Sequence, residues 1–218
     1  MRKITLEEVK RACADCGAPE REKQKKFNED YKTTTQTIET ALKLSGEKEI
    51  CEALESSFAE NIREEVIMWL ARYSNNVKLM LETYKAQAKH ECEHLRGMLT
   101  AIYIFDMMDI DDIIKHEYAV SSTVDKIPAF DIEAMKKEKT DLLEISDSNE
   151  KRLATAIINK HISRVLQHID NPNTEKATAE LERLYGILVF VDALGYVNMK
   201  TVSRIRRLLN TQIENLKS

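Results

Sequence analysis

Apolar residues recur along most of this chain at steps of three and four, the spacing of one face of an α-helix. Ile50, Leu54, Phe58, Ile62, Val66, Trp69 and Tyr73 predict a long core helix over residues 48–73. Val77, Leu81, Tyr84, Ala88, Cys92, Leu95, Leu99 and Ile102 stripe the next, and Leu153, Ile157, Ile158, His161, Val165 and Ile169 a third. Ala177, Leu181, Leu184, Leu188 and Val191 stripe a fourth, and Val202, Ile205, Leu209, Ile213 and Leu216 a last helix that should dock on the rest. The predicted fold class is all-α, a multi-helix bundle.

The punctuation between these stripes is chemical. Thr5 and Glu8 form a capping box that opens a short helix, with Gly17 placed to end it. Residues 20–45 are highly polar and read as partly solvated, and Gly46 terminates them. Ser74-Asn75-Asn76 predicts a tight reversal, although the apolar phase carries on at Val77. Asp109 or Asp111 caps a helix over DDIIKHEYAV, and residues 121–130, with Pro128, form a loop before a helix capped by Asp131 and running to about Leu143. Ser146 or Asp147 opens the following helix, Asp170-Asn171-Pro172-Asn173 breaks it, and Thr174 and Asn198 cap the last two. The loop suggests an N-terminal lobe (1–120), a connection (121–145) and a C-terminal lobe (146–218), or one continuous domain.

A repeat runs through the pattern. ECEHLRGMLT at 91–100 returns as ELERLYGILV at 180–189, with Glu91/Glu180, Glu93/Glu182, Leu95/Leu184, Gly97/Gly186 and Leu99/Leu188 all 89 positions apart. The expectation is a duplicated helical unit, 91–118 and 180–207. A glycine inside a helix costs ~1 kcal/mol relative to alanine. One at the same phase in both copies predicts close approach of another backbone, with the two helices crossing or in equivalent tight contacts.

Composition sharpens the class without naming a function. Five Gly and three Pro against 32% charged residues in 218 suit long helices and short connections. A net charge of -4, spread along the chain, supplies no bulk attraction to nucleic acid or membranes. No apolar run approaches the ~20 residues that span a bilayer. Four cysteines without secretory context read as reduced thiols in a cytoplasmic protein.

Three segments invite chemical readings. His90-Glu91-Cys92-Glu93-His94 fits H-E-x-x-H and resembles the zinc-metallopeptidase motif, with Gly97 where the longer metzincin form has a glycine. That resemblance implies a zinc hydrolase in which His90 and His94 hold the metal and Glu91 polarises its water. The metzincin third histidine would fall on Thr100, and Glu93 replaces a usually apolar residue. At 100° per residue the two histidines lie ~160° from Cys92, which points them to solvent unless another lobe covers them. Cys13-Ala-Asp-Cys16-Gly17 resembles the first half of the zinc knuckle of Arf GTPase-activating proteins and of zinc ribbons, but no second C-x-x-C follows. Cys13 and Cys16 with His90 and His94 would make a structural zinc site of suitable ligand type. The alternative leaves no cofactor, the two thiols ending a short helix.

Thr201-Val-Ser-Arg-Ile-Arg-Arg resembles the recognition helix of helix-turn-helix repressors, which implies DNA binding over 198–210 through Lys200, Arg204, Arg206 and Arg207. The bland alternative is a basic solvent face. His161 and His168 read as ordinary partly buried residues. The sequence contains no phosphate-cradling glycine loop and no nucleophile elbow, and brings no carboxylates together with a histidine base. The expected function is therefore a non-enzymatic interaction or regulatory protein presenting helix faces or a groove to a protein partner, with homo-oligomers open and no membrane involved. A DNA-binding regulator stands second and a zinc hydrolase third.

Overall fold

The computed structural model describes residues 2–15, 48–125, 127–147 and 149–216, the side chains of 48–58 excepted. The polar stretch 20–45, Cys16, Gly17, Gly46 and the side chain of Cys51 lie outside what is described. Among the described residues the chain is an all-α bundle of eight helices without a strand. They are α1 (Leu6–Asp15), α2 (Lys48–Thr83), α3 (Lys85–Ile104), α4 (Ile110–Ser121), α5 (Ile132–Ser146), α6 (Glu150–Asp170), α7 (Thr174–Ala193) and α8 (Met199–Asn215).

The predicted reversal at residues 74–76 does not occur: α2 runs through it for 36 residues. Tyr73 and Val77 are both buried, so the apolar face holds the helix together across the polar triplet. The triplet is satisfied sideways. Ser74 Oγ donates to the Leu70 carbonyl and meets His116 Nε2, while Asn75 donates to the Cys13 carbonyl and Asn76 to Glu91. The chain breaks instead at Tyr84, at φ -142° and ψ 78°.

The capping box forms as expected, with Thr5 N–H donating to Glu8 at 3.0 Å and Glu8 N–H to Thr5 Oγ1 at 3.4 Å. Asp131 and Asn198 cap α5 and α8 by accepting from Ala134 and Thr201. Other caps differ by a residue or two. Asn149, not Ser146 or Asp147, caps α6, because Asp147 is spent as the left-handed end of α5 at φ 49°. Asn173 rather than Thr174 caps α7. Asp109 stands at the cap position of α4 without making a cap bond, its carboxylate being taken by Lys3 at 2.9 Å.

Helices α3 and α7 form the centre. Every residue from 92 to 102 is buried, and α7 is buried almost all round from 180 to 193, so neither behaves as a one-stripe surface helix. They pack on each other, with α2 flanking α3 and with α6 and α8 flanking α7. One continuous core draws on both the 1–120 and the 146–218 segments, from Ile4, Val66 and Leu99 to Leu153, Phe190 and Ile213.

The glycines explain how closely the two centres approach. A Cβ on Gly97 would stand 2.7 Å from the Arg183 carbonyl carbon, and one on Gly186 would stand 2.9 Å from the Met98 nitrogen and against the His94 carbonyl. Both obstacles are backbone, so only glycine allows this crossing. The contact is reciprocal, since His94 and Arg183 are separated by the same 89 positions as the glycines. The turns that follow also match. Phe105 and Leu194 N–H bond back to Ala101 and Phe190, Met107 and Tyr196 N–H to Ile102 and Val191, and the left-handed residues are Asp106 (φ 57°) and Gly195 (φ 76°). This is the Schellman arrangement that closes a helix end.

Candidate functional site

The crossing places charged side chains largely out of contact with water. Glu93, His94, Arg96, Glu117, Glu138, His161, Glu180 and Glu182 are all buried. A buried charge is costly unless it is paired, and here the pairing is continuous. Arg96 bridges Glu93 at 3.0 Å and Glu117 at 2.8 Å and also donates to the Pro128 carbonyl at 2.7 Å, tying the 121–130 loop to α3. Arg183 Nε donates to Glu93 at 2.5 Å, and its guanidinium lies 3.6 Å from Glu180. Glu180 and Glu138 hold His161 between them, at 2.5 Å from Nδ1 and 3.1 Å from Nε2, with Arg164 closing the group on Glu138 at 2.9 Å.

A second group repeats the logic on the other side of the crossing. His94 Nε2 pairs with Glu182, its Nδ1 lies 3.5 Å from Glu91, and Arg206 reaches Glu182 at 3.0 Å while stacking 4.2 Å over the Tyr185 ring. Across the crossing the contacts exchange: α3 sends His94 to Glu182 of α7, and α7 sends Arg183, its counterpart, to Glu93 of α3.

Each group is electrically neutral only with its histidine protonated. Glu93, Glu117, Glu138 and Glu180 face Arg96, Arg164, Arg183 and His161, while Glu91 and Glu182 face Arg206 and His94. Burial alone would strip the proton from His161, but the carboxylates of Glu138 and Glu180 outweigh it and raise its pKa. His94 is raised in the same way by Glu182 and Glu91 against its own desolvation. Glu138, which burial would raise, is drawn down to about 2 by His161. His116 is the opposite case: burial, with Lys78 and Lys10 nearby, lowers it to about 4.

Above these ion pairs opens a cleft of about 1240 Å³ between the first half of α3, the start of α7 and the 121–130 loop. Its floor includes Glu93, Glu180, Glu182 and Arg183, and its walls carry Leu81, Lys85, Lys89, His90, Val124, Ile127, Pro128 and Lys176.

The residues singled out in the sequence meet different surroundings in this fold, Cys16 lying outside the described residues. His94 is buried rather than solvent-facing, because α7 covers that face of α3, while His90 stays half exposed with Nδ1 3.7 Å from Glu182. Cys13 places its sulfur 3.8 Å from the Ala71 carbonyl. Among the described residues no group of three or more His, Cys, Asp or Glu side chains could hold a metal ion. Lys200, Arg204 and Arg207 lie on the exposed face of α8, whereas Arg206 is committed to Glu182 and Tyr185. His161 is fully buried rather than an ordinary half-buried residue, and carboxylates do cluster around histidines. Those clusters join α3, α5, α6 and α7, so no local spacing displays them. The available signal was His161 on an otherwise apolar stripe, and Glu93 and Glu182 in the register of the two glycines.

No family model matches this chain, and neither does any curated protein or solved structure. Among the described residues no helix is long and apolar enough to cross a membrane.

Proposed function

We propose that this chain is a non-enzymatic, cytoplasmic interaction protein that receives part of a partner protein in the cleft above the α3–α7 crossing. The observation that carries the reading is the state of the cleft floor. Glu93, Glu180, Glu182 and Arg183 have the residue types of an acid–base site, yet each is held by an opposite charge in a group that closes on itself. A general acid or base must offer its proton or lone pair to a substrate, and these groups spend theirs on one another. The walls combine apolar side chains with lysines that make no side-chain hydrogen bond or ion pair among the described residues, which leaves those charges for a partner to engage. We further infer that the reciprocal crossing and the matched turns descend from a duplicated helical unit, 91–118 and 180–207, whose two copies pack as a pseudo-dimer within one chain.

Filling the cleft tests the reading. Ala86 is exposed and lines the cleft, so Ala86→Trp obstructs it without entering the core. Proteins retained from an extract of the native host by the wild-type chain should be lost with Ala86→Trp and kept with Lys200→Glu, an exposed residue of α8 that does not line the cleft. Retention of the same proteins by Ala86→Trp would place the interface elsewhere.

A further inference from the structure

We propose that the occupant of this cleft is an acidic, amphipathic polypeptide segment, an inference that rests on the cleft being the interface and adds the chemistry of what enters it. The floor carboxylates are already neutralised, so the charges left to select a ligand stand on the walls. Lys85 and Lys89 lie one turn apart on α3, and Lys176 faces the same cleft from the first turn of α7. Among the described residues none of the three makes a side-chain hydrogen bond or ion pair, whereas Glu93, Glu180 and Glu182 on the floor each have one or more. Lys89 is half buried. A cation in that position has given up part of its hydration without gaining a counter-charge, and an incoming carboxylate supplies one.

Asp125 and Glu175 on the exposed rim oppose the three lysines. This mixture discriminates among anions. A nucleic-acid strand carries a phosphate at every nucleotide and would press some of them on Asp125, Glu175 and the acidic floor. A peptide can place isolated carboxylates at Lys85, Lys89 and Lys176 and set apolar side chains on Leu81, Val124, Ile127 and Pro128. At about 1240 Å³ the cleft also exceeds the ~300–1,000 Å³ usual for a small-molecule site. A volume of this size leaves room for a segment of chain.

The test uses the full chain and three fluorescein-labelled probes read by anisotropy: an amphipathic peptide of leucine and glutamate, its leucine–lysine counterpart, and single-stranded oligothymidine. The leucine–glutamate peptide should bind saturably and at least about tenfold tighter than the other two, and weaken as salt rises. Lys85→Glu/Lys89→Glu should weaken it by roughly tenfold, because both reversals set carboxylates against the acidic peptide. Lys85→Arg/Lys89→Arg should retain it, and an unchanged urea midpoint checks that both variants fold. Equal binding of the acidic and basic peptides, tighter binding of oligothymidine, absence of binding, or indifference to the charge reversal each overturns the proposal. If Ala86→Trp still abolishes capture of host proteins while the acidic peptide fails, the cleft remains the interface and only the acidic assignment falls.

Discussion

Replacing Gly186 with alanine adds one methyl group where α7 meets the backbone of α3. On an exposed helix that exchange stabilises by ~1 kcal/mol, because alanine is the better helix former. Here the added carbon would sit 2.9 Å from the Met98 nitrogen and against the His94 carbonyl, where no flexible side chain can turn aside. Contact between such atoms is comfortable at about 3.5 Å or more, so the helices must separate by something near 1 Å along the whole crossing. That separation loosens packing around Leu95, Leu99, Leu184 and Leu188, all essentially buried. It also lengthens the Arg183–Glu93 and His94–Glu182 pairs that span the same gap. Overpacking of a well-filled core costs typically ~1 to 3 kcal/mol, and leucine at the same position should cost more than alanine. A net loss of ~2 kcal/mol corresponds to a fall of about 4–8 °C in Tm for a domain of this size. Gly97→Ala and Gly97→Leu should behave alike, because Gly97 meets the Arg183 backbone in the same way. Urea denaturation with a constant m value measures the change. If substitutions at both glycines raise the midpoint, the close crossing is not what keeps these positions glycine.

Three further outcomes follow from the buried polar and charged groups. His161→Gln removes the buried cation that Glu138 and Glu180 share, leaving them only the partly exposed Arg164 and Arg183, and should cost about 3–5 kcal/mol, the usual effect of breaking a buried ion pair; a loss under ~1 kcal/mol in urea denaturation would contradict the pairing. Stability should peak near pH 6.5: His94 and His161, raised in the folded chain, contribute fully below their unfolded value of ~6.5 and lose that contribution as pH rises through their folded values. His116, lowered to about 4, works the other way and destabilises as pH falls from ~6.5 towards 4, and Glu138, lowered to about 2, adds to the loss below ~4.3. Thermal midpoints across this range check the signs, and a steady rise from pH 7 to pH 9 would refute them. Tyr73→Phe should be neutral or stabilise by up to ~1 kcal/mol, because the Tyr73 hydroxyl is buried without a hydrogen-bond partner among the described residues; a clear loss in the same assay would show a partner at work.

Periodicity along the chain was enough to determine the all-α class, most of the described stripe positions that form the core, Tyr84 being an exposed exception, and the helix break at Asn171-Pro172, because each depends on residues within a few turns of one another. Gly97 and Gly186 were legible as points of close approach for a local reason too: a helix tolerates such a glycine at a cost, and matched costs imply a shared purpose. The helix through residues 74–76 was not legible. Whether Ser74, Asn75 and Asn76 turn the chain or ride on a helix depends on partners at Cys13, Glu91 and His116, far away in sequence. Exact caps escaped for a similar reason, since Asp109 is a good capping residue that Lys3 draws away. The candidate site lay furthest from view. A glutamate or histidine on a helix has the same local pattern whether it meets water or an opposite charge, and only the covering of α3 by α7 decided that His94 and Glu182 would meet in the interior. Residue spacing determines which side chains share a face; what that face touches, and hence whether its charges are free to act, is set by the packing of helices distant in the chain.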